Sequence, residues 1–391
     1  MRRRALAVIP TLLVFALPLA GSVSAAASTQ VTAHRNTHVC GSPAAGAASC
    51  DAIRHDRVDR TGKIISNVMP SGYGPSDIRS AYNLTSSTTA SPTTVAIVDA
   101  YDDPNAEADL GVYRSQYGLP ACTTANGCFT KVNQYGGTSL PRANGGWGQE
   151  ISLDLDMVSA ACPGCHLLLV EASSSSFANL GAGVNTAAAR LGVTAISNSY
   201  GGSDTAATSA YDHPGIAVTA STGDSGYGVQ SPASFGTVVA VGGTSLKRDS
   251  SAARGWTESA WSGAGSGCSA INTKPSWQTG TSCAKKANAD VSAVADPNTG
   301  VAVYDSYAYQ GVKGWLVFGG TSASSPIVAS VYALSGNTAG YPAAYTWGHA
   351  SGLNDVSSGS NGTCSTFVWC NAGAGWDGPT GLGTPNGTTA F

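Results

Sequence analysis

Thr94-Val95-Ala96-Ile97-Val98 is a short apolar run rich in β-branched residues, ending at Asp99 in a turn of acids closed by Pro104. A buried parallel strand meeting a loop at its carboxyl end has this texture. Similar runs stand at 165–170, 193–198, 216–220 and 238–241, with helical stretches between several of them, notably 151–161 and 177–191. Alternation of strand and helix predicts an α/β fold, a parallel sheet flanked by helices, with functional residues just beyond the carboxyl ends of the strands. Neither an internal repeat nor a linker interrupts the chain after residue 72, which predicts a single large domain over 72–391. Its first residues, 73–79, read as a turn and then a short helix capped by Ser76. Residues 28–71 are polar, hold three of the six histidines and keep no sustained period. They read as a short propeptide or N-terminal arm.

The beginning of the chain sets the compartment. Met1-Arg2-Arg3-Arg4 is basic, residues 5–20 are apolar but broken by Pro10 and Pro18, and Ala25-Ala26-Ala27 supplies small residues for cleavage. This predicts a secretory signal peptide over 1–27; a membrane anchor needs about 20 unbroken apolar residues. The ten cysteines fall into five neighbouring couples, Cys40/Cys50, Cys122/Cys128, Cys162/Cys165, Cys268/Cys283 and Cys364/Cys370. An even count outside the cytoplasm implies disulfides; neighbour pairing would pin five local loops, although spacing alone leaves the connectivity open. Cys162-Pro163-Gly164-Cys165 has redox-dithiol spacing, but without a thioredoxin-like frame it reads as a structural bridge. A net charge of −3 with only 20 Lys and Arg excludes a nucleic-acid binder, which needs a basic footprint. A secreted, soluble monomer with no stable membrane association is the default expectation.

Three motifs carry chemistry. Gly319-Gly320-Thr321-Ser322-Ala323-Ser324-Ser325-Pro326 precedes an apolar helical run at 327–334. A serine at that junction sits at a helix N-terminus, where free N–H groups favour developing negative charge; Pro326 is expected in the first turn. The pattern suggests a subtilisin-type nucleophile, but no His-Gly-Thr-His motif supplies a base, and the six histidines stand in ordinary contexts. A carboxylate must replace the histidine. Trp147-Gly148-Gln149-Glu150-Ile151-Ser152-Leu153-Asp154-Leu155-Asp156 opens a helix with acids in its first turns, and Glu150 and Asp154, at i and i+4, share a face. Two adjacent carboxylates push their pKa values apart, so one accepts a proton while the other orients it; serving the helix dipole is the plainer alternative. Third, Gly223-Asp224-Ser225-Gly226 follows the 216–220 run. Kept protonated, Asp224 could donate to an oxyanion; otherwise it is an Asx-turn.

Taken in order, these segments resemble the sedolisin family of serine-carboxyl peptidases, which have a subtilisin-like fold and act at acid pH. The match runs from about Gly72 to the C-terminus and includes Pro163-Gly164, Ser197-Asn198-Ser199-Tyr200-Gly201-Gly202, Ala240-Val241-Gly242-Gly243-Thr244 and Glu258-Ser259-Ala260-Trp261. The resemblance implies Ser322 as nucleophile, Glu150 as general base, Asp154 as the partner orienting it, and Asp224 as the oxyanion-hole acid. It also implies a substrate-lining strand with Ser197, Ser199, Tyr200 and Gly201, Tyr200 standing where Trp is usual. Asn354-Asp355-Val356 and 372–377 resemble the family's calcium site, which implies carboxylates from Asp355 and Asp377 and carbonyls from Val356, Gly373 and Gly375; oxygen-only ligands suit Ca²⁺. Two departures stand out. The family's large folded prosegment has only the stretch 28–71 to replace it, and the cysteine couples are outside the general pattern.

The expected function is a secreted acid endopeptidase acting on proteins or peptides. A glycosidase using Glu150 and Asp154 is disfavoured, since its acids must flank a sugar from opposite sides. A non-catalytic secreted binding protein on the same scaffold is the alternative, against which stands the fact that all four catalytic positions carry suitable residue types.

Overall fold

The run that opens at Thr94 lies where a β-branched strand is most stable, inside a sheet with both faces covered. The computed structural model describes Met1, residues 33–84 and residues 93–391. Its strands begin with β1 Ala33–His38, β2 Ser49–Cys50, β3 Ile53–Val58, β4 Thr94–Ala100, β5 Phe129–Asn133, β6 His166–Ala172, β7 Val193–Asn198, β8 Tyr200–Ser203 and β9 Ala217–Ser221. They continue as β10 Gln230–Ser231, β11 Val239–Arg248, β12 Trp256–Ala260, β13 Gly267–Cys268, β14 Ala287–Asn288, β15 Val291–Val294, β16 Val301–Tyr309 and β17 Val312–Gly319. The helices are α1 Pro75–Ala81, α2 Ala106–Gln116, α3 Gly145–Ala161, α4 Phe177–Ala188, α5 Thr321–Ser335 and α6 Pro342–Gly348.

The main sheet is eight-stranded among the described residues, ordered β12-β11-β9-β7-β4-β6-β5, with β15 also pairing β11. Its pairs are parallel except for β11 with β12 at the edge. β4 pairs β6 on one side and β7 on the other. The chain order therefore reverses at β4, and the loops leaving its carboxyl end part to open a crevice. All five expected runs become strands of this sheet; the last extends to Arg248 because it pairs β12 through Arg248↔Trp256.

Three element ends differ from expectation. α3 starts at Gly145, capped by Asn144, whose side chain accepts from the Gly146 and Trp147 amides at 3.0 and 3.1 Å. Gly145, Gly146 and Gly148 weaken the helical signal there, but the cap and tertiary packing override it. The acids consequently leave the first turn. α1 is capped at Gly74, not Ser76, with the Gly74 amide donating to the Asp77 carboxylate at 3.1 Å. Pro326 lies in the second turn of α5, so the carbonyl of Ser322 loses its i+4 donor; it faces the Ser199 hydroxyl oxygen at 3.4 Å, whose proton is directed to Asp154 at 2.7 Å.

The stretch read as an arm is built into the fold. β3 lies between β1 and β17 in a second sheet, β1-β3-β17-β16, with Ile53 opposite Gly319 and Arg54 opposite Phe318. Arg54 is fully buried, donating from Nε to Asp56 Oδ1 at 2.6 Å and from Nη1 to Gln149 Oε1 at 2.8 Å. Gln149 in turn donates to Asp305 and to the Val312 carbonyl, both at 3.2 Å, which ties the arm to α3. All five neighbouring cysteine couples form disulfides. The leader expected over 1–27 lies outside the described residues apart from Met1. No helix among the described residues is long and apolar enough to cross a membrane.

Asp56→Ala leaves the Arg54 guanidinium buried without its carboxylate, which costs about 3–5 kcal/mol for a dry pair of this kind. Urea unfolding of the variant in a Ser322→Ala background should show that loss; a change below about 1 kcal/mol would place the pair among exposed, weakly coupled ones.

Candidate active site

Helix α3 delivers Glu150 and Asp154 from adjacent turns into the crevice beside β4. Both are fully buried. Ser199 donates from Oγ to Asp154 Oδ1 at 2.7 Å, while Asp154 Oδ2 and both Glu150 oxygens are without a hydrogen-bond partner. Burial pushes both carboxyls well above the usual carboxylate range. Asp154 and Asp99 raise Glu150 further, and Asp99 does the same for Asp154. Asp99, at the carboxyl end of β4, is itself raised by burial to about 8 and has two unpaired oxygens.

Ser322 is the second residue of α5 and is fully buried. Its hydroxyl donates to the Ser199 carbonyl oxygen at 3.2 Å and lies near enough to Glu150 to favour that carboxylate's ionised form. Gly320 makes the approach to Ser322 possible. Its φ of 93° is left-handed, and a Cβ there would lie 1.9 Å from the Asp51 carbonyl oxygen and 2.5 Å from Asp224 Oδ2.

Asp224 reaches the same spot from the loop after β9. Its Oδ1 accepts from the Thr321 amide at 2.7 Å and from the Thr321 hydroxyl at 2.9 Å. Its Oδ2 is buried and unpaired. Burial, reinforced by Asp51, raises this carboxyl well above its ordinary range, and with Oδ1 occupied as an acceptor the proton belongs on Oδ2. That is a hydrogen-bond donor aimed beside the Ser322 amide, as an oxyanion site requires.

The strand Tyr200–Ser203 runs along a cleft of about 600 Å³ lined by Cys50, Asp51, Gly201, Asp224 and Gln230, among others. Gly201 faces this cleft and Tyr200 pairs through its backbone with Cys50. The Tyr200 ring is buried, its hydroxyl donating to Asn198 Oδ1 at 2.7 Å. Ser199 is buried beneath the cleft, its carbonyl accepting from the Asp51 amide and Ser322 Oγ and its hydroxyl donating to Asp154. Ser197 is not brought to the cleft: it is buried, with its hydroxyl 3.0 Å from that of Ser325 under α5.

Asp355 and Asp377 meet near the C-terminus. Asp355 accepts from the Gly375 amide at 3.1 Å; Asp377 accepts from the Gly373 amide at 3.2 Å and from the Thr380 amide and hydroxyl at 2.9 and 2.8 Å. Burial raises Asp377 to about 7, with Asp355 adding to the shift. No donor among the described residues reaches the carbonyls of Val356, Gly373 or Gly375. Two facing carboxylates and three free carbonyls are a donor set that suits a hard cation. A separate trio, Asp103, Asp109 and Asp305, also converges, but each takes a backbone amide, from Asn105, Ser306 and Tyr307 respectively.

Sequence reasoning missed Asp51, Asp99 and Thr321 as parts of the site. Asp99 carried a signal, as an acid closing a buried strand. Asp51 is buried, accepts from Ser221 Oγ at 2.7 Å, and is raised by burial to about 7.

No protein-family model matches the chain. It is 29% identical to kumamolisin of Bacillus sp. (strain MN-32) across 81% of this chain and 63% of that protein. It is likewise 29% identical to sedolisin of Pseudomonas sp. (strain 101) across 80% of this chain and 60% of that protein. The chain thus spans less than two thirds of the length of these curated relatives. Among solved structures, Pseudomonas sedolisin, a serine-carboxyl proteinase complexed with two molecules of pseudo-iodotyrostatin, superposes with a TM-score of 0.68 at 27% identity, covering 81% of this chain and 96% of that one. These likenesses bear out the resemblance to the sedolisin family and the subtilisin-like α/β fold with its mixed, mainly parallel sheet.

The raised carboxyls fix how stability responds to pH. Asp51 and Asp99 hold protons in the folded chain up to about 7 and about 8, whereas unfolded aspartates release theirs near pH ~4. Between those limits the folded chain binds more protons than the unfolded one, so their contribution is complete below pH ~4 and is lost as pH rises through 7 to 8. The melting temperature of Ser322→Ala should therefore be highest in mild acid and fall toward pH 8. A flat or rising profile would contradict the burial of these groups.

Proposed function

We propose that this sedolisin-like chain is a secreted serine-carboxyl endopeptidase that hydrolyses peptide bonds of proteins at acid pH. The observation that carries the reading is the convergence of Ser322, Glu150, Asp154 and the unpaired Asp224 Oδ2 in one buried crevice. Ser322 Oγ attacks the peptide carbonyl and passes its proton to Glu150, with Asp154, held by Ser199, orienting that base. The oxyanion meets the Ser322 amide and the Asp224 proton. Glu150 then protonates the leaving amine, and water, activated by the same base, clears the acyl-enzyme. The basic leader and the five disulfides support secretion, and the chain is read as acting as a monomer.

Ca²⁺ fits the C-terminal donor set. Asp355 and Asp377 would hold it together with the carbonyls of Val356, Gly373 and Gly375. When bound there it would neutralise the two carboxylates and hold their loops together. The competing reading, a non-catalytic binding protein, predicts that Ser322 is dispensable.

Cleavage of a denatured protein between pH 2 and 8 should have an acid optimum and fall by at least about a thousandfold in Ser322→Ala. Glu150 must be ionised and Asp224 protonated, so activity should decline on both sides. Asp224→Asn separates these limits. An amide presents its oxygen to Thr321 and its N–H₂ where Oδ2 stood, at every pH, so the alkaline limb should move upward; Asp224→Ala should lose about 10²–10³ in kcat. An unmoved alkaline limb in Asp224→Asn would remove Asp224 from the oxyanion role.

Chelation with EDTA should lower the melting temperature of Ser322→Ala, and added Ca²⁺ should restore it. Asp377→Ala should abolish the response; an unchanged response would place the cation elsewhere.

A further inference from the structure

The short strand β10 pairs with β8 and sets Gln230 opposite Ser203, beside the cleft. Its carboxamide lies against two stretches of bare backbone. A Cβ on Gly201 would stand 1.8 Å from Gln230 Oε1, and one on Gly223 would stand 2.7 Å from Cδ and Nε2. Gly201 belongs to the strand along the cleft, and Gly223 immediately precedes Asp224. Gln230 is also a wall common to the 600 Å³ cleft and to a second cavity of about 130 Å³ bounded by Gly226, Gly228 and Gly265. A cavity of about 150 Å³ holds benzene, so this one is sized for a single side chain. Among the described residues no charged side chain lines it, and no Lys or Arg lines the cleft. In this neutral place Gln230 Oε1 is buried without a hydrogen-bond partner, an orphaned acceptor that calls for one. Asp51 marks the direction of approach. Its carbonyl oxygen accepts from the Ser322 amide at 3.3 Å, and its side chain runs to the end of β9, where it accepts from Ser221 Oγ at 2.7 Å.

Resting on the peptidase reading above, we infer that Gln230 determines specificity for the residue before the cleaved bond, selecting a neutral side chain that ends in a carboxamide or a protonated carboxyl group: glutamine or glutamic acid. A side chain on a carbonyl placed at the Ser322 amide leaves toward Ser221, as that of Asp51 does; one more methylene carries it on toward Gln230. There it offers an N–H or O–H to Gln230 Oε1 and a carbonyl oxygen to Nε2. An aliphatic side chain of the same length fills the space but leaves the buried oxygen unpaired, which a site built for hydrogen bonding penalises. A lysine would bring its charge into a cavity without a carboxylate, and an ionised glutamate into one without a cation. Glutamic acid is therefore accepted only while protonated, in the acid range of the proposed activity. Gln230 acts on the choice of substrate; bond making stays with Ser322 and Glu150.

The test measures kcat/KM of the full chain between pH 3 and 6 on internally quenched peptides that differ only at the residue before the cut, Gln, Glu, Met, Phe or Lys, with the cleaved bond identified by product mass. Gln should exceed Met at least tenfold throughout. Glu should match Gln at pH 3 and fall at least tenfold behind it at pH 6, since a glutamyl carboxyl ionises near pH ~4.3. Gln230→Leu should bring the ratio of Gln to Met to one or below; mere damage to the fold would slow all peptides alike and leave that ratio unmoved. Gln230→Glu keeps a donor and an acceptor while protonated, so the preference for Gln should survive in it at pH 3. Equal rates for Gln and Met, a preference for Lys or Phe, a ratio of Glu to Gln that is flat with pH, or a preference for Gln that persists in Gln230→Leu would overturn this inference and leave the peptidase reading standing. No cleavage of any peptide at any pH would remove both.

Discussion

Five buried carboxyl groups gather around the end of β4 and the cleft beside it, and no lysine or arginine is among the groups that shift them. Asp51, Asp99, Glu150, Asp154 and Asp224 are all raised, chiefly by burial and in several cases by one another. Their charges cannot all develop in a low-dielectric space without a counter-ion. The cluster must retain protons, and the chemistry follows from where they sit. Thr321 occupies one oxygen of Asp224 with two donated hydrogen bonds and so directs its proton to the other. Ser199 does the reverse for Asp154: by donating to it, the hydroxyl favours the ionised form.

The scaffold supplies these placements through a few backbone decisions. Gly320 admits two oxygens into the volume that any side chain would fill. Pro326 strips the Ser322 carbonyl of its helical donor, and that carbonyl then meets Ser199, the residue that also touches Asp154, the serine hydroxyl and the Asp51 amide. Ser199 thus touches Asp154, the Ser322 hydroxyl and the Asp51 amide at once. Its position follows from the parallel pairing of β7 with β4 and β9, rigid elements better suited than loops to hold catalytic distances.

Much of this was legible in the residues. The apolar runs marked the sheet, and the i and i+4 spacing of Glu150 and Asp154 put two acids on one face. The dipole alternative lost its basis once Asn144 proved to be the cap, since the acids then fall beyond the first turn, where the dipole acts. The arm was illegible for a physical reason. Sequence periodicity detects apolar alternation, but the inward residues of 51–56 include Asp51, Arg54 and Asp56, buried through Ser221, Gln149 and each other. Their partners lie far along the chain, so no local pattern announces them. Thr321 was hidden differently: beside a nucleophilic serine it reads as part of a turn, and only three-dimensional pairing with Asp224 gives it a task.

The arm also changes how the small size of the stretch before the domain is understood. A large folded prosegment could block a cleft by bulk alone. Here the covering is a strand that borrows its order from β8 on one side of the nucleophile and from β17 on the other. Between those clamps only Asp51 and Ala52 lie outside strand pairing, and there the Asp51 amide donates to the Ser199 carbonyl while the Asp51 carbonyl accepts from the Ser322 amide. A segment held this way needs little core of its own: β1 pairs β3 and Cys40 bonds Cys50 within it, and the rest of the domain supplies β8 and β17. The covering strand is therefore ordered by the backbones of Ser199 and Ser322 themselves, so its position and the geometry of the site are set by the same contacts.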